Sequence, residues 1–222
     1  TPPNERDMQI FPKSLNFLPL VAALGVAVGG GIATFVVVYY FSPRFLYVGY
    51  EPEQPVPYSH RLHAGQLGMD CRYCHANVER SFEAMVPPTQ TCMGCHSLVR
   101  TESARLAPIR ESWETGEAVP WVRVHNVPDH VFFDPSVHLS AGVGCVTCHG
   151  RVDRMEEVSI AEPLSMGWCL DCHRDPEESL RPLSRLTDMT WTPDEATEDE
   201  RTEMAALLDR ATPPENCSGC HR

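Results

Sequence analysis

The sequence has too few basic residues to bind nucleic acid through phosphate contacts. Its 18 Lys and Arg residues are outnumbered by 30 Asp and Glu residues, which gives a formal net charge of −12 at pH 7. Because phosphate binding needs a basic surface, this balance excludes a nucleic-acid partner. An acidic surface favours either plain solvation or the docking of a cationic redox protein.

The part of the chain after residue 50 is also short of apolar residues for a core of protein alone. Hydrophobic residues make up 42% of the sequence, but many lie in one N-terminal run, and the remainder is rich in Pro, Gly and charge. Domains with thin cores usually depend on a metal, disulfides or a prosthetic group. We therefore expect a mainly α, loop-rich fold of short helices wrapped around porphyrins.

No cysteine lies outside a Cys-x-x-Cys-His motif, which occurs five times. The five copies, called motifs 1 to 5 in chain order, are Cys71/Cys74/His75, Cys92/Cys95/His96, Cys145/Cys148/His149, Cys169/Cys172/His173 and Cys217/Cys220/His221. This pattern attaches c-type haem: two thiols bond the haem edge and the adjacent His is the proximal iron ligand. One copy alone could be half of a zinc site or a redox dithiol. Five copies with no spare cysteine predict five covalently attached haem c groups.

The five histidines outside the motifs are candidates for the distal iron ligands. His60 and His63 lie three residues apart and share one face of a helical turn, so we expect them to bind two different haems. Methionine thioether is the usual alternative to imidazole, although a Met beside a porphyrin can equally be a packing residue. The predicted distal ligands are His60, His63, His125 and His138, with the fifth left open among His130, Met155 and Met166.

The region before motif 3 repeats the region before motif 1. His138 stands at the position of His63, and Pro135 stands where His60 would fall. This internal repeat predicts two cytochrome-c7-like di-haem modules followed by a terminal haem. The Cys-x-x-Cys-Lys motif that marks an open catalytic haem in some multihaem reductases is absent, so we expect an electron relay without catalytic residues.

Two stretches between the motifs predict helices. Residues 101–113 can form a short helix, although Pro108 weakens that prediction. The sequence Thr192-Pro193-Asp194-Glu195 is a capping-box pattern with Pro at the first helical position, which predicts the start of an acidic helix. The residues expected to face inward on that helix are Met204, Leu207, Leu208 and Ala211.

The sequence has no charged residue between Lys13 and Arg44. At about 1.5 Å per residue, roughly 20 apolar residues span a hydrocarbon core of about 30 Å, so this run predicts one transmembrane helix. A cleaved signal peptide is the alternative, but its apolar region would be shorter. Because c-type haems are attached outside the cytoplasm, we expect the motifs on the periplasmic side of a bacterial inner membrane. The predicted segments are a cytoplasmic tail (1–14), the transmembrane helix (15–41), a Pro-rich spacer (42–58) and a periplasmic pentahaem domain (59–222).

Three runs carry a family resemblance. Residues 54–65 (Gln-Pro-Val-Pro-Tyr-Ser-His-x-x-His-Ala-Gly), 71–75 (Cys-Arg-Tyr-Cys-His) and 165–173 (Ser-Met-Gly-Trp-Cys-Leu-Asp-Cys-His) closely resemble the pentahaem cytochrome c subunit of bacterial alternative complex III. The resemblance implies an electron-relay subunit of a quinol:electron-acceptor oxidoreductase. Its implied partners are polytopic quinol-binding membrane subunits, an iron–sulfur subunit and a monohaem cytochrome c. That family tends to carry a second His-x-x-His before motif 3, which Pro135 interrupts here.

A second family is the alternative. The single-helix multihaem quinol dehydrogenases that feed periplasmic reductases resemble this chain in anchor and haem number. They typically follow the first motif with x-Met, whereas Ala76-Asn77 follows motif 1 here. The sequence therefore favours the relay subunit over the quinol dehydrogenase.

Overall fold

The computed structural model describes residues 11–221, which fold into short helices joined by loops. Residues 1–10 of the predicted cytoplasmic tail, and Arg222, lie outside this description. The chain divides into two compact units, of which the first ends at Leu46 and the second begins at Tyr47. The α-helices within residues 11–221 are α1 (Leu18–Tyr40), α2 (Pro43–Leu46), α3 (Cys71–Cys74), α4 (Thr89–His96), α5 (Ala107–Thr115), α6 (Pro135–Ser140), α7 (Cys145–His149), α8 (Met166–Arg174), α9 (Glu198–Arg210) and α10 (Cys217–Cys220).

Single helical turns connect many of these helices. Turns of the 3-10 type lie at Lys13–Phe17, Ala104–Leu106, Val152–Arg154, Glu177–Ser179, Leu183–Arg185 and Pro193–Glu195, and a π-type turn lies at Arg61–Gln66. In the described part of the chain no strand forms, and only two isolated bridges occur, Val131 with His221 and Val143 with Leu180. The predicted mainly helical architecture with little sheet is confirmed.

The first unit is built on α1, an apolar helix with short turns on both flanks. Pro19 lies in its first turn, where the missing N–H costs no hydrogen bond. At the other end, the rings of Tyr39 and Tyr40 pack on Phe45 with centroid distances of 5.5 and 4.7 Å. The helical stretch Lys13–Tyr40 reaches a mean hydropathy of 2.3 and is nowhere buried inside the structure. It is long and apolar enough to cross a membrane.

The main core of the second unit contains Leu180, Leu186, Trp191 and Leu207, all buried. Beside them lies Arg181, which is only 7% exposed. Its guanidinium donates to the carbonyl oxygens of Arg185 (3.2 Å) and Asp188 (2.8 Å) and lies 5.2 Å from the centre of the Trp191 ring. Hydrogen bonds and a cation–π contact thus compensate the burial of this charge.

A glycine lets Arg181 reach the start of α7. A Cβ added at Gly144 would collide with the Arg181 guanidinium group. A larger side chain at this position would displace either the buried arginine side chain or the helix that carries motif 3.

A smaller packing contact joins α4 to α5. The hydroxyls of Thr89 and Ser112 lie 2.6 Å apart, and Ile109 is buried beside them. The predicted helix over residues 101–113 begins only at Ala107, because Pro108 sits in its first turn, where proline is tolerated.

The acidic helix α9 begins later than the sequence predicts. Its capping box is formed by Thr197 and Glu200, whose side chains each accept a backbone N–H of the other residue (3.2 and 2.9 Å). Thr192 opens only the turn Pro193–Glu195. The predicted start was wrong because Trp191 and Ala196, on either side of that turn, are both buried, and Ala196 has an extended backbone. Of the four residues predicted to face inward, only Leu207 is fully buried.

The turn Arg61–Gln66 packs closely on the segment after motif 3. A Cβ at Gly65 would collide with the carbonyl oxygen of Asp153. The Arg61 amide donates to the Met155 carbonyl oxygen (2.9 Å), and the Arg61 side chain forms an ion pair with Glu156. These contacts fix the turn that carries His63.

We expect Gly65→Ala to lower the free energy of unfolding by about 1–3 kcal/mol, because the backbone of Asp153 must move. Thermal unfolding of the haem-loaded chain measures this effect. The matched control is Gly167→Ala in α8, where no atom lies within 4 Å of the added Cβ and the helical propensity of Ala adds at most about 1 kcal/mol. Equal unfolding temperatures for the two variants would contradict the close packing of this turn.

Candidate haem-binding site

The two cysteines of each motif lie in a short helix of their own: α3, α4, α7, α8 and α10. Both thiols of a motif are three residues apart and therefore lie on the same side of one helical turn, with the His next to them. Side chains of the preceding residues cap three of these helices: Asp70 accepts from Arg72 N (2.8 Å), Ser165 from Trp168 N (3.3 Å) and Asn216 from Gly219 N (2.8 Å). All ten cysteines, which fall within the described residues, are free of disulfides.

The structure brings four motif histidines into ring contact with histidines outside the motifs. The ring-centroid distances are 6.2 Å for His63 and His96, 6.1 Å for His138 and His173, 5.6 Å for His130 and His221, and 4.3 Å for His125 and His149. The fifth motif histidine, His75, lies within electrostatic range of His60, which is also within range of His149.

These distances suit a metal held between two imidazoles. Metal–imidazole bonds are about 2 Å long, so two imidazoles on opposite sides of one iron have centroids about 6 Å apart. Three pairs lie between 5.6 and 6.2 Å. The pair His125 and His149, at 4.3 Å, would have to separate to admit an iron.

Backbone carbonyl groups fix the tautomer of six histidines. In each of these, Nδ1 is hydrogen-bonded to a carbonyl oxygen, which leaves the Nε2 lone pair free to bind a metal. The pairs are His63 with Ser59 (2.8 Å), His75 with Met85 (2.6 Å), His96 with Val99 (3.0 Å), His138 with Asp134 (2.8 Å), His173 with Pro214 (2.7 Å) and His221 with His130 (3.3 Å). Both proximal and distal candidates are therefore oriented as ligands.

Two other histidines have a buried ring nitrogen without a hydrogen-bond partner among the described residues. These atoms are Nδ1 of His60 and Nε2 of His125. Desolvation, helped by neighbouring histidines, lowers the pKa of His60 to about 4 and that of His149 to about 3. At neutral pH these imidazoles are uncharged, which is the form that binds metals. The residues present would suit a haem iron bound by a motif histidine and a second histidine, and such a haem would supply one-electron transfer.

The three candidates for the fifth distal ligand lie in different surroundings. The ring of His130 is stacked on that of His221 with an interplanar angle of 18°. Met166 is 67% exposed, and the sulfur of Met155 lies 3.9 Å from the Ser159 hydroxyl. Of the three side chains, only His130 faces a motif histidine in the described contacts.

The histidine pairs explain the interrupted repeat. His63 and His138, at equivalent positions before motifs 1 and 3, lie beside the histidines of motifs 2 and 4, respectively. Where Pro135 replaces the equivalent of His60, the neighbour of His149 is instead His125, from a loop upstream of α6. The missing histidine is thus replaced from elsewhere in the chain.

Tyr58 is a site residue that the sequence analysis missed. Its ring stacks on His63 at 4.4 Å and meets His60 edge-on at 4.8 Å. Burial and the nearby thiols raise the pKa of Tyr58, and its hydroxyl interacts with Cys74. Tyr58 therefore holds both histidines in place. The feature of the sequence that could have identified it is its position two residues before His60.

Zinc binding, the alternative use of such motifs, needs three or four ligands that converge on one point. Within residues 11–221 no group of three or more His, Cys, Asp or Glu side chains is arranged to hold a metal ion. The recurring arrangement is the histidine pair beside two thiols.

Comparison with known proteins agrees with this geometry. Residues 131–222 match the family described as "Cytochrome c7 and related cytochrome c". The predicted cytochrome-c7-like fold class is confirmed, and covalent c-type haem is implied for a domain of this kind. Over 115 residues the chain is 36% identical to the "Menaquinone reductase, multiheme cytochrome c subunit" of Nitratidesulfovibrio vulgaris, a match that covers 50% of this chain and 52% of that protein. The chain thus spans about half the length of this relative and is related to multihaem electron-transfer cytochromes.

Proposed function

We propose that the chain binds five haem c groups and serves as an electron-transfer subunit of a membrane-bound quinone oxidoreductase. The observation that supports this most strongly is the pairing of four motif histidines with histidines outside the motifs, while the fifth, His75, lies within electrostatic range of His60. The proposed axial pairs are His75 with His60, His96 with His63, His149 with His125, His173 with His138 and His221 with His130.

Two imidazoles at each iron would leave no position for a substrate. Haem held in this way supplies one-electron transfer without substrate bond chemistry. The chain's own residues would therefore attach, orient and insulate the redox centres, with the thiols as covalent anchors and the carbonyl-bound imidazoles as fixed ligands. We propose no catalytic residue in this chain.

The first unit supports a membrane anchor. We assign residues 1–14 to a cytoplasmic tail, 15–41 to a transmembrane helix, 42–58 to a Pro-rich spacer and 59–222 to a pentahaem domain. The helical turn α2 lies inside the proposed spacer. Because c-type haem is attached outside the cytoplasm, we place the pentahaem domain on the periplasmic side of the bacterial cytoplasmic membrane.

The resemblance to alternative complex III supports a more specific assembly. We propose that polytopic quinol-binding subunits, an iron–sulfur subunit and a monohaem cytochrome c accompany this chain. The Gly25, Gly29, Gly30 and Gly31 positions of α1 have open space around an added Cβ, and small residues let another membrane helix approach closely. Electrons would pass from the quinol-binding subunits through this chain to a cytochrome c, another periplasmic acceptor or a terminal oxidase.

The relative from Nitratidesulfovibrio vulgaris favours a second candidate function. Its name describes a menaquinone reductase subunit. By analogy, this chain would pass electrons toward a menaquinone-reducing partner instead of away from it. The residues and the proposed haem ligands are the same in both cases; only the direction of electron flow differs.

Neither candidate requires the chain itself to bind quinone. A quinone pocket is concave and lined from several directions, which one helix does not provide. Residues 14–43 contain no Asp, Glu, His, Lys or Arg to exchange the protons of quinol chemistry. This argues against the single-helix quinol dehydrogenase, in which the anchored cytochrome oxidises quinol.

We expect the purified single chain to be reduced by dithionite but to stay oxidised with menaquinol. The intact complex should show haem reduction on menaquinol addition, followed by visible absorption in a stopped-flow experiment. If pre-reduced complex is instead reoxidised rapidly by menaquinone and barely reduced by menaquinol, the menaquinone reductase assignment is favoured. Rapid menaquinol-dependent reduction of the single chain would overturn the relay proposal and favour the quinol dehydrogenase.

A further inference from the structure

Motifs 1 and 2 are neighbours in space. Their partner histidines, His60 and His63, lie three residues apart. His60 precedes the helical turn Arg61–Gln66, and His63 lies within it. The thiols of Cys74 and Cys92, one from each motif, are close enough to interact electrostatically. Tyr58 touches the surroundings of both motifs, since it stacks on His63 and interacts with Cys74 and Cys92.

Motif 1 is also a neighbour of motif 3. The thiols of Cys71 and Cys145, the first cysteines of motifs 1 and 3, lie close enough to interact electrostatically. His149 is also within electrostatic range of both His75 and His60.

A shared segment holds these two motif helices together. Leu186 accepts a hydrogen bond from the backbone N–H of Cys145 (3.0 Å), and the hydroxyl of the next residue, Thr187, donates to Asp70, the cap of α3 (2.9 Å). The starts of α3 and α7 are therefore anchored to adjacent residues, which keeps motifs 1 and 3 side by side.

Motifs 3 and 4 are adjacent as well. The thiol of Cys148 in motif 3 interacts electrostatically with those of Cys172 and Cys169 in motif 4. Thr147, inside motif 3, and Cys172 line the same cleft of about 360 Å³.

Motif 4 in turn contacts motif 5. Cys169 interacts electrostatically with Cys220. Nδ1 of His173 is hydrogen-bonded to the carbonyl oxygen of Pro214 (2.7 Å), and Arg174 pairs with Glu215 (3.3 Å), so the end of α8 is tied to the residues just before α10.

The exposure of the cysteines agrees with this succession of contacts. Of the ten cysteines, Cys95 and Cys217 are exposed, whereas the other eight are partly buried. Cys95 belongs to motif 2 and Cys217 to motif 5, so the two motifs that have one neighbour each are also the two most open to solvent.

We propose that the five haem attachment sites form a line in the order 2, 1, 3, 4, 5, with motif 2 and motif 5 at its ends. This proposal rests on the proposed function, because it takes each motif to carry a haem with two histidine ligands. The order differs from the chain order: motif 1, the first in sequence, is an interior site with neighbours on two sides.

The test uses the full chain in its native complex. Electron paramagnetic resonance counts how many low-spin haems lie near one haem that has been made high-spin. Removal of one distal histidine should make one ferric haem high-spin, and a fast-relaxing high-spin centre speeds the relaxation of nearby low-spin centres. His63→Ala and His60→Ala form a matched pair, since both change the same turn. We expect His63→Ala, at motif 2, to speed the relaxation of one low-spin signal, and His60→Ala, at motif 1, to speed that of two.

A second pair on the segment before motif 3 keeps the test decisive if the first variants do not fold. His130→Ala, at motif 5, should affect one signal and His138→Ala, at motif 4, should affect two. Two affected low-spin signals for a variant at motif 2 or motif 5 would contradict the proposed linear order. A single affected signal for a variant at motif 1 or motif 4 would contradict it as well. If the variants fold and no high-spin signal appears, the proposed histidine ligands are wrong; the menaquinol experiment tests the electron-transfer role separately.

Discussion

Intact mass spectrometry of the chain from its native membrane is expected to show five haem additions, with a pyridine haemochrome assay giving five haems per chain. The physical reason is that a thioether link needs two thiols three residues apart with the ligand His next to them, and the sequence supplies this arrangement five times. In the structure, the thiol pairs of motifs 2, 3, 4 and 5 also lie beside a histidine pair. Fewer than five haems in native material would contradict the pentahaem proposal.

A variant tests that count at one motif. Cys92→Ala together with Cys95→Ala should remove one haem and leave four, and motif 2 is the best choice because Cys95 is exposed and its loss disturbs little packing. The matched control is Met93→Leu within the same motif, which keeps both thiols and should retain all five haems. A double variant that still carried five haems would show that motif 2 does not attach haem.

The second large effect is expected for His130→Ala, which should convert one low-spin haem to a high-spin form. His130 stacks on His221, and its own carbonyl oxygen accepts the hydrogen bond that orients that imidazole. Without the His130 side chain, the iron of motif 5 would keep one protein ligand and gain an open position. The high-spin signal in electron paramagnetic resonance and the matching change in visible absorption measure this conversion.

The controls are the two methionines left open by the sequence. Met166→Leu changes a side chain that is 67% exposed, and Met155→Leu changes one whose sulfur lies near the Ser159 hydroxyl. Both variants should remain fully low-spin, since leucine occupies similar volume and neither sulfur is proposed to bind iron. A high-spin haem in either methionine variant, with His130→Ala unchanged, would assign the fifth ligand to that methionine.

The capping of α9 illustrates where local patterns are insufficient. Two stretches that fit the capping-box pattern, one beginning at Thr192 and one at Thr197, lie five residues apart in the sequence. Burial of Trp191 and Ala196 holds the first as a single turn, so the helix begins at the second. Only packing against other parts of the chain distinguishes the two.

The sequence alone determined the five motifs, the apolar helix, the scarcity of sheet and the set of histidines available as ligands. These properties depend on spacings of three or four residues or on runs of composition, which helical geometry and hydropathy translate directly into structure. The tertiary structure decided which histidines lie together and which motifs are neighbours. His130 and His221 are 91 residues apart, and the thiols of Cys71 and Cys145 come from different modules of the repeat. Such contacts arise when separate helices pack around shared surfaces, and no local periodicity specifies them.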